Sequence, residues 1–162
     1  MKILTVFLFV CLWGCSTSQE LLGPIKLKKL KKEPHKEWFD AEYNNYTPFT
    51  PTLDQIKPLV DDVEIVVFMG TWCSDSQMQV PAFFRILDEM EVKVKTTIIA
   101  VDEDKKTPSG SATENGITNV PTFIFYKNGK ELNRIVESPI EFLEDDMLAI
   151  LSGVAYKHTY ED

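Results

Sequence analysis

Apolar and polar positions change period several times along this chain, and each change marks an element. Glu64-Ile65-Val66-Val67-Phe68-Met69 is a short β-branched and aromatic run that predicts a buried strand. From Ser76 onward Met78, Phe83, Phe84, Ile86, Leu87 and Met90 recur at roughly helical spacing. They predict a long helix from Cys73 to about Met90, bent at Pro81 because proline removes a backbone donor. Val94 to Val101 reads as a strand, Asp102 to Gly110 as a polar loop, and Ala112 to Asn115 as a short helix stopped by Gly116. Thr122 to Lys127 and Glu131 to Val136 are strands joined at Asn128-Gly129, a strong hairpin signal. Pro139 starts a last helix whose apolar face includes Ile140, Phe142, Leu143, Met147, Ile150 and Leu151. Upstream, Leu53 to Val60 predicts a helix capped by Thr52 or Asp54 and weakened by Pro58. Phe39, Tyr43 and Tyr46 fall at i, i+4 and i+7, so residues 37–46 predict a short helix whose aromatic face packs on the core. There is no internal repeat and no second domain.

The chemistry sits between the first long strand and the first long helix, at Trp72-Cys73-Ser74-Asp75-Ser76. Unpaired backbone N–H groups and the helix dipole favour an anion at such a turn. A thiolate is such an anion, and it is the form of cysteine that attacks disulfides. The bland reading is a buried structural thiol, since free cysteine is among the most buried residue types. Its place after Trp72 at a helix start favours the reactive one.

These residues resemble the thioredoxin-like proteins. The resemblance rests on Trp72-Cys73-x-x-Ser76 after a strand and on Pro81 eight residues beyond Cys73. It continues through Gly116-Ile117-x-x-Val120-Pro121-Thr122-Phe123 and Lys127-Asn128-Gly129, and covers roughly residues 54 to 151. It implies an α/β thioredoxin fold, a central mixed β-sheet flanked by helices, over residues 54–155, preceded by an N-terminal extension. It also implies that Pro121 is a cis-proline facing Cys73, and that Val120 offers its backbone to an extended substrate by strand addition. Trp72, Val120 and Pro121 are thus the expected substrate-binding residues, with Cys73 and Ser76 as the catalytic pair.

The departures from the family pattern narrow the chemistry. Ser76 stands where the family usually has a second cysteine, and a hydroxyl cannot attack a mixed disulfide to release the substrate. Ser76 can still donate a hydrogen bond to a Cys73 thiolate. The family's buried carboxylate falls at Val67, three residues before Gly70, and a glycine usual near the groove is replaced by Glu137. Asp75 and Glu137 would make the mouth of the site acidic, disfavouring acidic peptides and opposing a thiolate.

The N-terminus resembles an export signal, which implies a place outside the cytoplasm. Lys2 precedes an apolar run from Ile3 to Leu12, too short to span a bilayer. It ends in Leu12-Trp13-Gly14-Cys15, which resembles a bacterial lipoprotein signal, with residues 1–14 removed and Cys15 lipidated; an ordinary secretory signal is the alternative. Residues 15–36 carry six Lys against two acids, which reads as a basic tether, either drawn to anionic lipid or simply solvated. Residues 37–53 form the aromatic extension and residues 156–162 a C-terminal tail. Residues 37–162 hold ten Lys and Arg against 23 acids, which argues against nucleic-acid binding. His35 and His158 are expected at the surface. Once Cys11 leaves with the signal and Cys15 is lipidated, Cys73 is the sole free thiol, with neither an internal disulfide nor a multi-cysteine metal site. No cofactor is implied.

Two functions follow. One is a monothiol thiol–disulfide oxidoreductase of the bacterial cell envelope, forming a mixed disulfide at Cys73 for exchange, isomerisation or deglutathionylation. Its partners would be proteins or peptides with disulfides or thiols, together with a small thiol or a membrane reductase. The other is a redox-inactive peptide-binding module on the same scaffold. Peroxide reduction is disfavoured, because neither the threonine spacing nor the arginine placement of peroxiredoxins is present.

Overall fold

The computed structural model describes residues 20–161. The proposed signal and Cys15 lie outside the described residues. The strands are β1 (Gly23–Ile25), β2 (Val63–Met69), β3 (Lys95–Ala100), β4 (Thr122–Lys127) and β5 (Lys130–Val136). The helices are α1 (Lys36–Asn45), α2 (Thr50–Ile56), α3 (Ser74–Glu89), α4 (Ser111–Glu114) and α5 (Leu143–Ser152). The strands form one mixed sheet in the order β1-β3-β2-β4-β5. Only β2 and β3 are parallel, Val67 pairing with Ile98, and the other neighbours are antiparallel.

β2 is central, and its alternation divides the core between the two faces of the sheet. Ile65, Val67 and Met69 join Val80, Phe83, Ile86, Leu87, Leu53 and Met147 in the larger cluster. Phe68 joins Ile99, Val101, Ala112, Ile117 and Val120 in the smaller one, against which Trp72 and Cys73 pack. The carboxyl end of β2 therefore delivers the chemistry at the boundary of a rigid sheet. Pro81 lies inside α3, which continues through it to Glu89.

The aromatic helix forms as the pattern predicts. Phe39 is fully buried, while Tyr43 and Tyr46 pack partly buried on the same core. Tyr43 donates to Asp88 on α3 at 2.6 Å, which ties the extension to the helix that carries Cys73. Tyr46 donates to the buried carboxylate of Glu144 on α5, and the Phe49 N–H donates to the same group at 2.9 Å. Burial, then Glu144 itself, pushes the Tyr46 phenol well above its ordinary value.

Four expectations are corrected. Residues 20–36 are not a solvated tether: Gly23–Ile25 pairs with β3, Lys26–Lys32 contains a 3₁₀ turn, and Leu30 is fully buried in the core. His35 is buried rather than at the surface, edge-on to Trp38, and burial pushes its imidazole below the ordinary value. The last helix begins at Leu143, not at Pro139. There the Asp146 carboxylate accepts the Ile140 N–H at 2.8 Å and holds the preceding segment as a loop, leaving Ile140 and Phe142 exposed. The helix expected over 53–60 also starts earlier, at Thr50, behind Phe49 rather than Thr52 or Asp54.

Candidate active site

Cys73 is the N-cap of α3, in extended conformation, and its carbonyl accepts the first helical bond from Gln77 at 3.0 Å. The Cys73 N–H donates to the Gly70 carbonyl at 3.1 Å, which closes the turn out of β2. That turn requires glycine: a Cβ on Gly70 would lie 2.5 Å from Cε2 of Trp72. The Trp72 indole is pinned from its other end, where Nε1–H donates to the Val101 carbonyl at 3.0 Å.

The loop before β4 comes up against the thiol. Val120-Pro121 is cis, as the family resemblance implied. The Cys73 thiol donates to the Val120 carbonyl at 3.2 Å, and its sulfur lies 3.9 Å from Oδ2 of Asp75. Cys73 is half-buried and lines the groove over the site. Trp72, Cys73, Val120 and Pro121 are thus brought together. Val67 is fully buried in apolar surroundings and supplies no carboxylate beneath the site.

Ser76 behaves differently from its expected role. It is completely buried, and its hydroxyl accepts the Gly70 N–H at 3.2 Å instead of bonding to Cys73. The reason is local: from the first turn of α3 the side chain points back over the turn N-terminal to it. Ser76 therefore holds the Gly70 turn in place.

Glu137 adopts φ +63°, the left-handed conformation that favours glycine. Its N–H donates to the Pro121 carbonyl at 2.7 Å, and its carboxylate accepts from Asn119 at 3.4 Å. A groove of about 360 Å³ runs over Cys73, lined by Asp75, Asn119, Val120, Glu137 and Lys105 among others. The mouth therefore carries a basic side chain as well as two acidic ones. Lys105 and Asn119 escaped sequence reasoning because both fall in loops without a local pattern. Lys105 has φ +59°, in a turn where Asp102 accepts the N–H groups of Lys105 and Lys106 at 2.9 and 2.8 Å. Its ammonium lies 5.6 Å from the centroid of the Trp72 ring. On the other side of Trp72 a cavity of about 230 Å³ is bordered by His35 and Trp38, so the N-terminal segment reaches the site residues directly. Among the described residues no cluster of three or more His, Cys, Asp or Glu side chains could hold a metal.

A family model described as thioredoxin matches residues 26–149. The chain belongs to the thioredoxin family. That match includes the basic segment and α1, in keeping with their place in the fold. The chain is similar to thioredoxin from Rickettsia typhi, 35% identical over 74 residues, which are 45% of this chain and 67% of that protein. It is also similar to thioredoxin from Malassezia sympodialis, 36% identical over 85 residues, covering 51% of this chain and 78% of that one. A Pseudomonas aeruginosa protein of unknown function has a similar structure, with a TM-score of 0.55 at 16% identity over 74% of this chain and 82% of that chain. That last likeness shows the fold alone. Membership in the thioredoxin family places the chain among redox proteins that act on protein thiols and disulfides.

Proposed function

We propose that this thioredoxin-family protein is a monothiol thiol–disulfide oxidoreductase of the bacterial cell envelope. The observation that carries the reading is the accessible sulfur of Cys73 at the start of α3, 3.2 Å from the Val120 carbonyl and beside Pro121. When the thiol ionises, it gives up its proton and the Val120 carbonyl is released. That carbonyl can then accept an N–H from an extended substrate, aligning it along the groove as an added strand. The thiolate attacks one sulfur of the substrate disulfide, forming a Cys73 mixed disulfide and expelling the other sulfur as thiolate. Ser76 has no sulfur to complete the cycle, so a second external thiol attacks the mixed disulfide and regenerates Cys73. Such a cycle suits exchange, isomerisation or deglutathionylation of protein and peptide substrates. The test is exchange between a peptide–glutathione mixed disulfide and free glutathione. Wild type should accelerate it, and Cys73→Ala should return it to the uncatalysed rate. Acceleration by neither, with peptide binding retained in both, would leave the redox-inactive binding module.

The location is part of the same proposal. Among the described residues no helix is long and apolar enough to cross a membrane, and the reading relies on a lipid on Cys15. Labelled fatty acid should enter the full-length wild type and be absent from Cys15→Ala, which should leave the membrane fraction. Equal labelling of both would overturn the anchor.

A further inference from the structure

The groove over Cys73 holds charges of both signs that do not pair with one another. Lys105, Asp75 and Glu137 all line it, and no ion pair joins either acid to the lysine. Lys105 and Glu137 each have a neighbour that orients them. The ammonium of Lys105 is fixed over the face of Trp72, an attraction of the ring quadrupole for a cation. The left-handed backbone of Lys105, tied to Asp102, aims the side chain there. Glu137 is fixed by its bonds to Pro121 and Asn119. Fixed opposite charges facing a shared space suit a ligand that carries both. At about 360 Å³ the groove lies near the small end of ligand sites, roughly 300–1,000 Å³, which fits a tripeptide-sized molecule.

We infer that this groove selects a zwitterionic, amino-acid-type low-molecular-weight thiol as the partner of Cys73, with Lys105 pairing with its carboxylate and Glu137 and Asp75 with its ammonium. The inference rests on the oxidoreductase reading and names the small thiol of that cycle by its charge. In the loading step the Cys73 thiolate attacks one sulfur of a small-molecule disulfide RSSR. The Cys73–SR bond forms, the S–S bond breaks, and RS⁻ leaves to take a proton from water. Cys73 is oxidised and one RS sulfur reduced. In the release step a second RS⁻ attacks the bound SR sulfur, re-forming RSSR and the Cys73 thiolate. Lys105 and Glu137 bind the charged groups of the ligand, and the reacting atoms are sulfurs throughout.

The experiment measures the rate of Cys73 modification by glutathione disulfide, by cationic cystamine and by neutral hydroxyethyl disulfide, each in wild type, Lys105→Met and Glu137→Gln. Hydrogen bonds to charged groups are individually strong enough that losing one should change a selectivity ratio by about tenfold. Lys105→Met should lower the ratio of glutathione disulfide to hydroxyethyl disulfide by that factor and raise the ratio of cystamine to hydroxyethyl disulfide. Glu137→Gln should lower the cystamine ratio. Ratios that stay within twofold of wild type in both variants would overturn the inference and leave the oxidoreductase reading standing. Failure of Cys73 to react with any of the three would remove that reading, and the inference with it.

Discussion

Ser76→Cys should give the proposed Cys73 mixed disulfide an internal route of release that needs no external thiol. Residues three apart at a helix start share a face, and two such cysteines fall within the Cα separation a disulfide requires. Ser76 is completely buried directly behind Cys73, so the new thiol would be shielded from bulk reagents and close to the mixed disulfide. Well-oriented intramolecular attack reaches effective molarities of about 10⁵ M, so even a poorly aligned pair should shorten the mixed-disulfide lifetime at least ~100-fold against millimolar external thiol. The gain is opposed by two features. Sulfur is a poorer acceptor than oxygen for the Gly70 N–H, and Val67 supplies no proton relay. Stopped release assays with and without an external thiol would measure it. An unchanged lifetime would mean that the geometry around Gly70 keeps the second sulfur out of line.

A second large effect is expected far from the sulfur. Leu30→Ala should cost about 2–5 kcal/mol, the range for emptying a buried leucine site. Against a total stability of roughly 5–15 kcal/mol, such a loss should be plain in the urea midpoint. Leu30 is fully buried among residues that include Phe39, while Lys28 two residues earlier is exposed. Lys28→Ala should therefore move the midpoint little, within about 0.5 kcal/mol. Were the segment a solvated tether, both substitutions would be equally silent.

Leu30 also shows where the sequence was hard to read. Five lysines crowd residues 26–32, and their charge dominates any compositional view of the segment. Leu27 and Leu30 lie three apart within that run, one helical turn with one apolar side. Leu30 is buried, and Leu27 packs against the same core. The elements from β2 to β5 were legible because each is long enough for its period to show, and Asn128-Gly129 marks the hairpin. The start of α5 was misplaced because Ile140 and Phe142 imitate the helical spacing of the residues after them. What stops the helix there is Asp146, a side chain reaching back from the first turn to the Ile140 N–H. No local pattern announces that.

The site divides along the same line. The proximity of Trp72, Cys73, Val120 and Pro121 was legible from motif spacing, because the turn after β2 and the cis Val120-Pro121 bond bring them together. Ser76 was recognised as the missing sulfur but not as the acceptor of the Gly70 N–H, a contact that depends on how the turn folds back. Lys105 was invisible, since only a left-handed residue in a polar loop brings it over Trp72.

The central claim is that the sulfur of Cys73 alone takes up substrate. Intact-mass measurement of the reduced mature protein, incubated with excess glutathione disulfide and quenched by acid, tests this most directly. The account predicts a single glutathione adduct on Cys73, stable until a second thiol is added and absent from Cys73→Ala. A wild-type protein that stays unmodified while unfolded Cys73 reacts readily would contradict it.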